Sequence, residues 1–360
     1  MSILSGPYLT TLCEDVQFNC TVSDARYARD YSLCIYLLRM REFYRWRFNI
    51  PLLHRLDTDI VGDWISDMEM HWDDIEGCEF KPIVIGGVTF GPFESDAINL
   101  QLQSSGLIYS AGYGRLGQPH FVLAELIDKK RDTSMVSYEC GKELARDSIT
   151  LPAMAQNQSV YIRHDSIKRY ICQMVDEWRL QKPVGPLARV VEHYQLIDPN
   201  TFEDQIEKAG TQLGPLFLEH ERGEVAAGAL LGERYHQLLI KIAGSRGEFY
   251  LRAVRDMLAD SLKTWPYILA QGNEIKLDFW LASVSGARLQ LLRASGLATV
   301  LQADAAGSRF ERLSGILEFE QQRWCSLAQS LLTYCEQNPD DIDIEAQCLS
   351  FFHVSQSASQ

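Results

Sequence analysis

No stretch of this 360-residue chain approaches the ~18 consecutive apolar residues of a membrane-spanning helix, so no transmembrane segment is expected. The opening residues "MSILSGPYLTTLCED" hold neither a basic n-region nor a long apolar h-region, so no export signal is expected either. Cys-x-x-Cys does not occur. The nine cysteines (Cys13, Cys20, Cys34, Cys78, Cys140, Cys172, Cys325, Cys335 and Cys348) are odd in number and irregular in spacing, which reads as reduced thiols in a cytoplasmic protein. Positive charge is scarce: 34 Lys and Arg stand against 48 Asp and Glu, a formal net charge of −14. That balance argues against duplex nucleic acid and anionic membrane surfaces as partners. G-x-S-x-G, P-loop and zinc-knuckle spacings are absent, and no internal repeat of fixed period occurs.

What is present is ordinary globular material. Hydrophobic residues make up 46% and charged residues 23%, enough for a sizeable core without disulfide staples. A chain of this length is expected to form two domains. The pattern predicts a mainly helical α+β fold. Its N-terminal domain, 1–150, combines a helical hairpin over 24–79 with a small antiparallel sheet over 81–140. A C-terminal helical bundle covers 160–340, and a polar tail covers 341–360.

The hairpin starts with "DARYARDYSLCIYLLRMREFYRWRF", residues 24–48. Asp24 is its expected cap, and Tyr27, Tyr31, Cys34, Leu38 and the Phe43/Tyr44 pair recur at helical spacing. Arg29, Arg39, Arg41, Arg45 and Arg47 make it the most basic stretch of the chain. A second helix is expected over 58–76, with Ile60, Trp64, Met68, Trp72 and Ile75 as its apolar stripe. "KPIVIGGVTFGPF", "NLQLQSSGLIYSAGYG", "HFVLAELID" and "SMVSYECG" read as strands. "LPAMAQNQS", 151–159, reads as a linker. Helices are expected from Asp165, then over 186–197, 201–214, 215–243, 246–270, 274–295 and 308–337.

The segment "FLEHERGEVAAGALLGERYHQLL", 217–239, holds the leading candidate site. His220 and Glu224, four residues apart, share a helical face with Ala227, Leu231, Leu238 and Ile242. Such a pair can supply two ligands to iron or zinc, with Glu221 beside it as a possible base. Glu233 and His236 form a Glu-x-x-His of the kind used in di-iron bundles, but they face the opposite side of a straight helix. A kink at Gly228 or Gly232 would be needed to join the four. Only one Glu-x-x-His is present, and the Glu192–His193 spacing does not supply a second. The alternative is an intrahelical hydrogen-bonded pair at a packing interface.

Three further constellations carry weaker signals. Asp67, His71 and Asp74 share one helix side, as an iron-type ligand set or as an acidic solvated face. "GYGRLG", 112–117, is a literal G-x-G-x-x-G, but Gln118 and Pro119 follow it where a nucleotide-binding motif needs a helix, so a hairpin loop fits better. His120, just after it, is a free binding candidate or a plain strand residue. Glu248, Arg252, Asp256 and Asp260 follow at four-residue spacing and read as a charge ladder on an exposed or inter-helix face.

"YARDYSLCIYLLRMREFYRW", "YSAGYGRLGQPHF" and "LRAVRDMLADSL" resemble segments of an uncharacterised bacterial protein family. The resemblance implies a bacterial cytoplasmic protein and carries no function with it. Two function classes remain. One is a non-catalytic accessory or scaffold protein that binds a protein partner or itself, with Arg41, Arg45 and Arg47 of the aromatic-rich first helix at the interface. The other is an iron- or zinc-dependent helical-bundle enzyme built on His220, Glu224, Glu233 and His236.

Overall fold

Pro7 stands in the first turn of α1 (Pro7–Tyr27), where a backbone N–H would have had no helical partner. The computed structural model describes residues 6–28, 32–114, 117–132, 135–302, 308–338 and 343–357. The chain divides into two compact units: Met1–Leu180 with Tyr194–Gly214, and Gln181–His193 with Pro215–Gln360. The fold class is α+β and mainly helical, as expected.

In the first unit, α1 is a helix that sequence patterning does not announce, because it is covered on two sides. Leu12, Val16 and Cys20 join Ile83, Ile98, Tyr109, Phe121 and Leu123 in one core. Val22, Ala25 and Ala28 join a second core with Tyr36 and Met40 of α2 (Leu33–Arg47) and Val61, Ile65 and Trp72 of α3 (Thr58–Ile75). A helix buried on two sides has no clean polar stripe for periodicity to detect. The single helix expected over 24–48 is therefore corrected to the end of α1 and the separate α2; Arg29 and Tyr31 lie outside the described residues. Asp24 caps nothing. It is buried within α1 and accepts hydrogen bonds from Ser148 N and Oγ at 2.8 and 2.7 Å.

α3 matches its expected span and is capped by Asp57, which accepts from Asp59 N and Ile60 N. Its buried face is Val61, Ile65, Trp72 and Ile75, while Ile60 is exposed. α2 and α3 pack together: Phe43 and Tyr44 meet Trp64, and the Tyr36 hydroxyl donates to Glu69 at 2.7 Å.

Two sheets follow. β1 (Ile83–Ile85) and β2 (Val88–Phe90) form a small antiparallel pair. "NLQLQ", expected as strand, lies in α4 (Ser95–Leu102) and just beyond it. Ile98 and Leu102 recur at helical spacing, and the buried Asn99 amide binds the backbone N and O of Tyr109, both at 2.8 Å. The larger sheet contains β3 (Leu107–Tyr113), β4 (Pro119–Arg131), β5 (Val136–Arg146), β6 (Ala153–Gln156) and β7 (Ser159–Arg163), in the order β3-β4-β5-β7-β6.

β5 and β7 pair in parallel, so this sheet is mixed and runs to residue 163, not purely antiparallel and ending at 140. The stretch read as a linker over 151–159 holds β6. Strands of four and five residues give too few positions for a period-2 signal, and every residue of β7 is buried. Alternation along β3 sends Leu107, Tyr109 and Ala111 to one core and Ile108 to another, with Val122, Tyr138 and Tyr161. α5 (His164–Gln181) buries Ile167, Ile171 and Val175.

The regular elements of the second unit, among its described residues, are all helices. It holds α6 (Pro186–His193), α7 (Phe202–Lys241) from Pro215 onward, α8 (Arg246–Ala259), α9 (Trp265–Gln271), α10 (Glu274–Ser283), α11 (Gly286–Ala294), α12 (Leu297–Gln302), α13 (Arg309–Gln337) and α14 (Ile344–Ser357). The helices expected over 201–214 and 215–243 run on as α7, with Pro215 inside it. Gly232 interrupts α7 with φ 69° and ψ −171°, a conformation that favours glycine. The expected helix over 274–295 breaks at Val284–Ser285 into α10 and α11. Ser308 and Glu311 close a reciprocal capping box on α13. Where a polar tail is expected, α14 buries Ile344, Cys348 and Phe352; residues 358–360 lie outside the described residues. Among the described residues no helix is long and apolar enough to cross a membrane.

Candidate functional site

α7 places His220 and Glu224 one turn apart, with His220 Nε2 3.4 Å from Glu224 Oε1. Between them, Gly223 lies against the backbone of Ala259: a Cβ there would come within 2.3 Å of the Ala259 carbonyl oxygen. Only glycine permits this approach. It brings His220 within reach of residue 260, where α8 gives way to one turn of π-helix over Asp260–Thr264. The added residue of a π turn re-aims the side chains that follow.

Asp260 is the centre of the arrangement. Its side chain is fully buried and accepts from His220 Nδ1, Thr264 Oγ1 and Trp280 Nε1, each at 2.8 Å, and from Arg288. Burial alone would raise its pKa, but Arg288 and His220 outweigh burial and hold it down at about 2. Arg255 Nη2 lies 2.5 Å from Glu224 and 3.0 Å from Asp256. Burial also works against the charged forms of Glu224 and His220. Arg255 and His220 nevertheless keep the Glu224 carboxyl well below its ordinary value, and Asp260 and Glu224 lift the His220 imidazole well above its own. Asp256 goes the other way: burial, with the Glu224 charge beside it, raises its pKa.

The network thus sets the His220 imidazole and the Arg255 and Arg288 guanidinium groups among the carboxyl groups of Glu224, Asp256 and Asp260. His220 and Glu224 remain 20% and 21% exposed, so the cluster has an open side. One ligand atom from each of His220, Glu224 and Asp256 lies within 4.8 Å of the others. Chemically, this arrangement can hold a proton on His220 or converge on a small cation.

The structure joins His220 and Glu224 as the sequence suggests, but not Glu233 and His236. Both of these are exposed, beyond the break at Gly232. Glu221 is half-buried and adds no atom to the triangle. Glu192 and His193 are exposed, as are Asp67, His71 and Asp74, which form no metal-competent group among the described residues. Of the two faces expected for the charge ladder, it occupies the inter-helix one, not an exposed one. Glu248 and Asp260 are buried, and Asp256 is half-buried. Glu248 binds Arg252 at 2.7 Å and accepts from Gly244 N at 2.8 Å. Arg255, Asp256, Asp260, Trp280 and Arg288 are the members that sequence reasoning missed. The one available signal was Asp260 directly beside Ser261 in the apolar row Leu251, Val254, Leu258, Ser261 and Trp265.

In the first unit, "GYGRLG" is a hairpin loop. Gly112 and Tyr113 end β3, Gly114 N donates to Gln118 O at 2.8 Å, and β4 follows in antiparallel register. Arg115 and Leu116 lie outside the described residues. His120 is a strand residue of β4, as one of its two readings has it, and not a free binding candidate: it is buried, with Nδ1 3.0 Å from Asp147 Oδ2. Gly114 packs on its ring, leaving no room for a Cβ. Beside this pair, Glu143 binds Arg163 at 2.9 Å, Arg146 at 3.3 Å and Ser166 at 2.6 Å. These ion pairs lie within the core, where Arg163 is held through Nε while its Nη1 and Nη2 have no hydrogen-bond partner among the described residues. Of the three arginines expected at an interface, Arg41 and Arg47 are exposed, whereas Arg45 is half-buried and donates to His54 O at 3.2 Å.

Comparison with known proteins identifies no curated protein and no solved structure that matches the chain. Two family models do match, in tandem and over most of the sequence. Residues 11–163 match the N-terminal domain, and residues 168–350 the C-terminal domain, of a family of unknown function (DUF6866). The resemblance to an uncharacterised family is thereby confirmed: the chain belongs to the DUF6866 family of unknown function.

Proposed function

We propose that the protein is a non-catalytic accessory or scaffold protein of the cytoplasm that binds a protein partner through α2. The observation that carries this reading is an uncovered aliphatic face. Leu33, Leu37 and Leu38 are 69%, 40% and 48% exposed, and helical spacing places them on one side with Cys34 and Arg41. Ile35, 45% exposed, borders them. Singly exposed leucines are common, but several on two turns of one helix mark an interaction surface. Arg41 lies on the same side one turn beyond Leu37, and Arg47 ends the helix, so the fitting partner is a protein segment with an apolar face and an acidic end. The net charge of −14 supports a protein over nucleic acid or an anionic membrane.

The test replaces Leu37 and Leu38 together with Glu in one variant, and Arg41 and Arg47 with Glu in another. Unchanged circular dichroism and melting establish that the fold survives. Wild type and variants are then compared by light scattering and by tagged pull-down from source cells. A partner or self-association that is present in wild type and lost in both variants supports the reading. Identical profiles and oligomer mass overturn it.

The second reading is an iron- or zinc-dependent helical-bundle enzyme. The gathering of Glu224 and Asp256 around His220 favours it. Against it stand the exposed positions of Glu233 and His236, which leave the site short of the ligand set of a di-iron centre.

A further inference from the structure

We propose that His220 Nε2, Glu224 and Asp256 form a binding site for one divalent transition-metal ion of the zinc class, and that the ion takes the place of the Arg255 guanidinium between the two carboxylates. This inference rests on the metal half of the second reading. It requires no catalysis and is independent of docking at α2.

The ligand types come first. One imidazole and two carboxylates suit zinc and ferrous iron, and three protein ligands leave an open position for water. The three donor atoms lie within 4.8 Å of one another. Ligand bonds of about 2.0–2.2 Å draw donors closer than that limit; His220 Nε2 and Glu224 Oε1, 3.4 Å apart, are already spaced for one ion, so Asp256 is the ligand that closes in.

The second observation is the hold on His220. Its Nδ1 is fixed at 2.8 Å on Asp260, which Trp280, Thr264 and Arg288 in turn hold in a buried position. A carboxylate on the far nitrogen is the arrangement that orients metal-ligating imidazoles. By contrast, Nε2 lies 3.4 Å from Glu224, long for a hydrogen bond, so the nitrogen that would meet a metal is the loosely engaged one.

The third is Arg255. One guanidinium nitrogen touches both Glu224 and Asp256, which shows that the two carboxylates already converge on a single cationic group. The partial exposure of His220 and Glu224 gives an ion its way in. Glu233 and His236 lie beyond the Gly232 break and have no part in the site.

The test uses the full chain, stripped with a chelator and titrated with Zn2+ by calorimetry and with Co2+ by visible absorption. One ion per chain is expected, with a Co2+ spectrum of nitrogen and oxygen ligation. Glu224→Gln and Asp256→Asn should each weaken binding at least about tenfold. Arg255→Met, which removes the competing cation, should tighten it. Glu233→Gln and His236→Asn should leave it unchanged. Because His220→Ala risks unfolding the unit, the carboxylate variants carry the decision, with melting curves as the check on folding. Absence of stoichiometric binding to the wild-type chain overturns the proposal. So does binding that survives both carboxylate substitutions, or binding that is lost in the Glu233 and His236 variants. Metal binding with no effect of the α2 substitutions, or the reverse, separates this proposal from partner docking.

Discussion

His220 Nδ1 and Asp260 Oδ1 lie 2.8 Å apart, although 40 residues separate them in the chain. The contact depends on a glycine, Gly223, and on a π turn that begins at Asp260 itself. Asp260→Ala leaves His220 and Arg288 without their shared carboxylate in a buried setting. The expected loss is about 3–5 kcal/mol, the usual result of removing one side of a buried ion pair. Glu233→Ala and His236→Ala, at exposed positions, should stay within about 0.5 kcal/mol of wild type. Urea denaturation of the three variants checks the contrast; equal effects would show that Asp260 does not organise the unit.

Gly223 and Gly228 sit five residues apart on α7 and should respond with opposite sign. Gly223→Ala drives a methyl group into the Ala259 carbonyl and should cost about 1–3 kcal/mol, as overpacking does. At Gly228 the nearest atom to an added Cβ is His236 Nε2, at 3.9 Å, so alanine fits and should stabilise the helix by about 0.5–1 kcal/mol. Thermal melting of the pair measures whether the α7 approach to Ala259 is as close as described.

Glu143 supplies a pH signature for the first unit. Burial opposes its charge, but Arg163 and Arg146 win and hold its pKa at about 2, below the ordinary 4.5. Because the folded value is the lower one, the stabilisation is present in full above pH 4.5. It is lost as pH falls toward 2, and amounts to about 3 kcal/mol. Glu143→Gln should be less stable than wild type at neutral pH and should show a flatter dependence between pH 5 and 2. Parallel curves for the two proteins would refute the assignment.

Asp24 and Asp147 should differ sharply. Burial and the neighbouring Asp147 charge push the Asp24 carboxyl well up, whereas His120 and the nearby arginines hold Asp147 down against its burial. Asp24→Asn keeps an oxygen for Ser148 N and a group for Ser148 Oγ, and should stay within about 1 kcal/mol of wild type at neutral pH. Asp147→Asn removes the charge facing His120 and weakens the acceptor of Ile149 N, and should cost about 2–4 kcal/mol. Denaturation midpoints at pH 7 decide it.

No disulfide joins any of the nine cysteines. Cys34, exposed on α2, should react first with a thiol reagent at neutral pH. Burial pushes the thiols of Cys140, Cys172 and Cys348 up to about 12, so these should label only after unfolding. Mass spectrometry before and after denaturation counts them. Fewer than nine free thiols in denaturant would contradict both the pairing state and the expected reducing compartment.

The sequence by itself determined what local periodicity and capping chemistry encode. The span of α3, the turn character of the glycine-rich stretch after β3 and the i, i+4 pairing of His220 with Glu224 were all legible, because each depends on residues within a turn or two, whereas the cap expected at Asp24 was not one and the cap at Asp57 went unread. Short-range patterning could not see α1, since packing on two sides erases its polar stripe. Nor could it see the parallel partnership of β5 with β7, which is a non-local pairing between short strands. The candidate site shows the same division. Nothing near Asp260 in sequence indicates that His220, Trp280 and Arg288 will meet its carboxylate. Tertiary structure decided that, through the space left by the missing Cβ of Gly223 and the register change of one π turn. Gly232 decided the rest: spacing already set Glu233 and His236 opposite His220 and left a kink as the one way to join them, and the break at Gly232 leaves both exposed and outside the cluster.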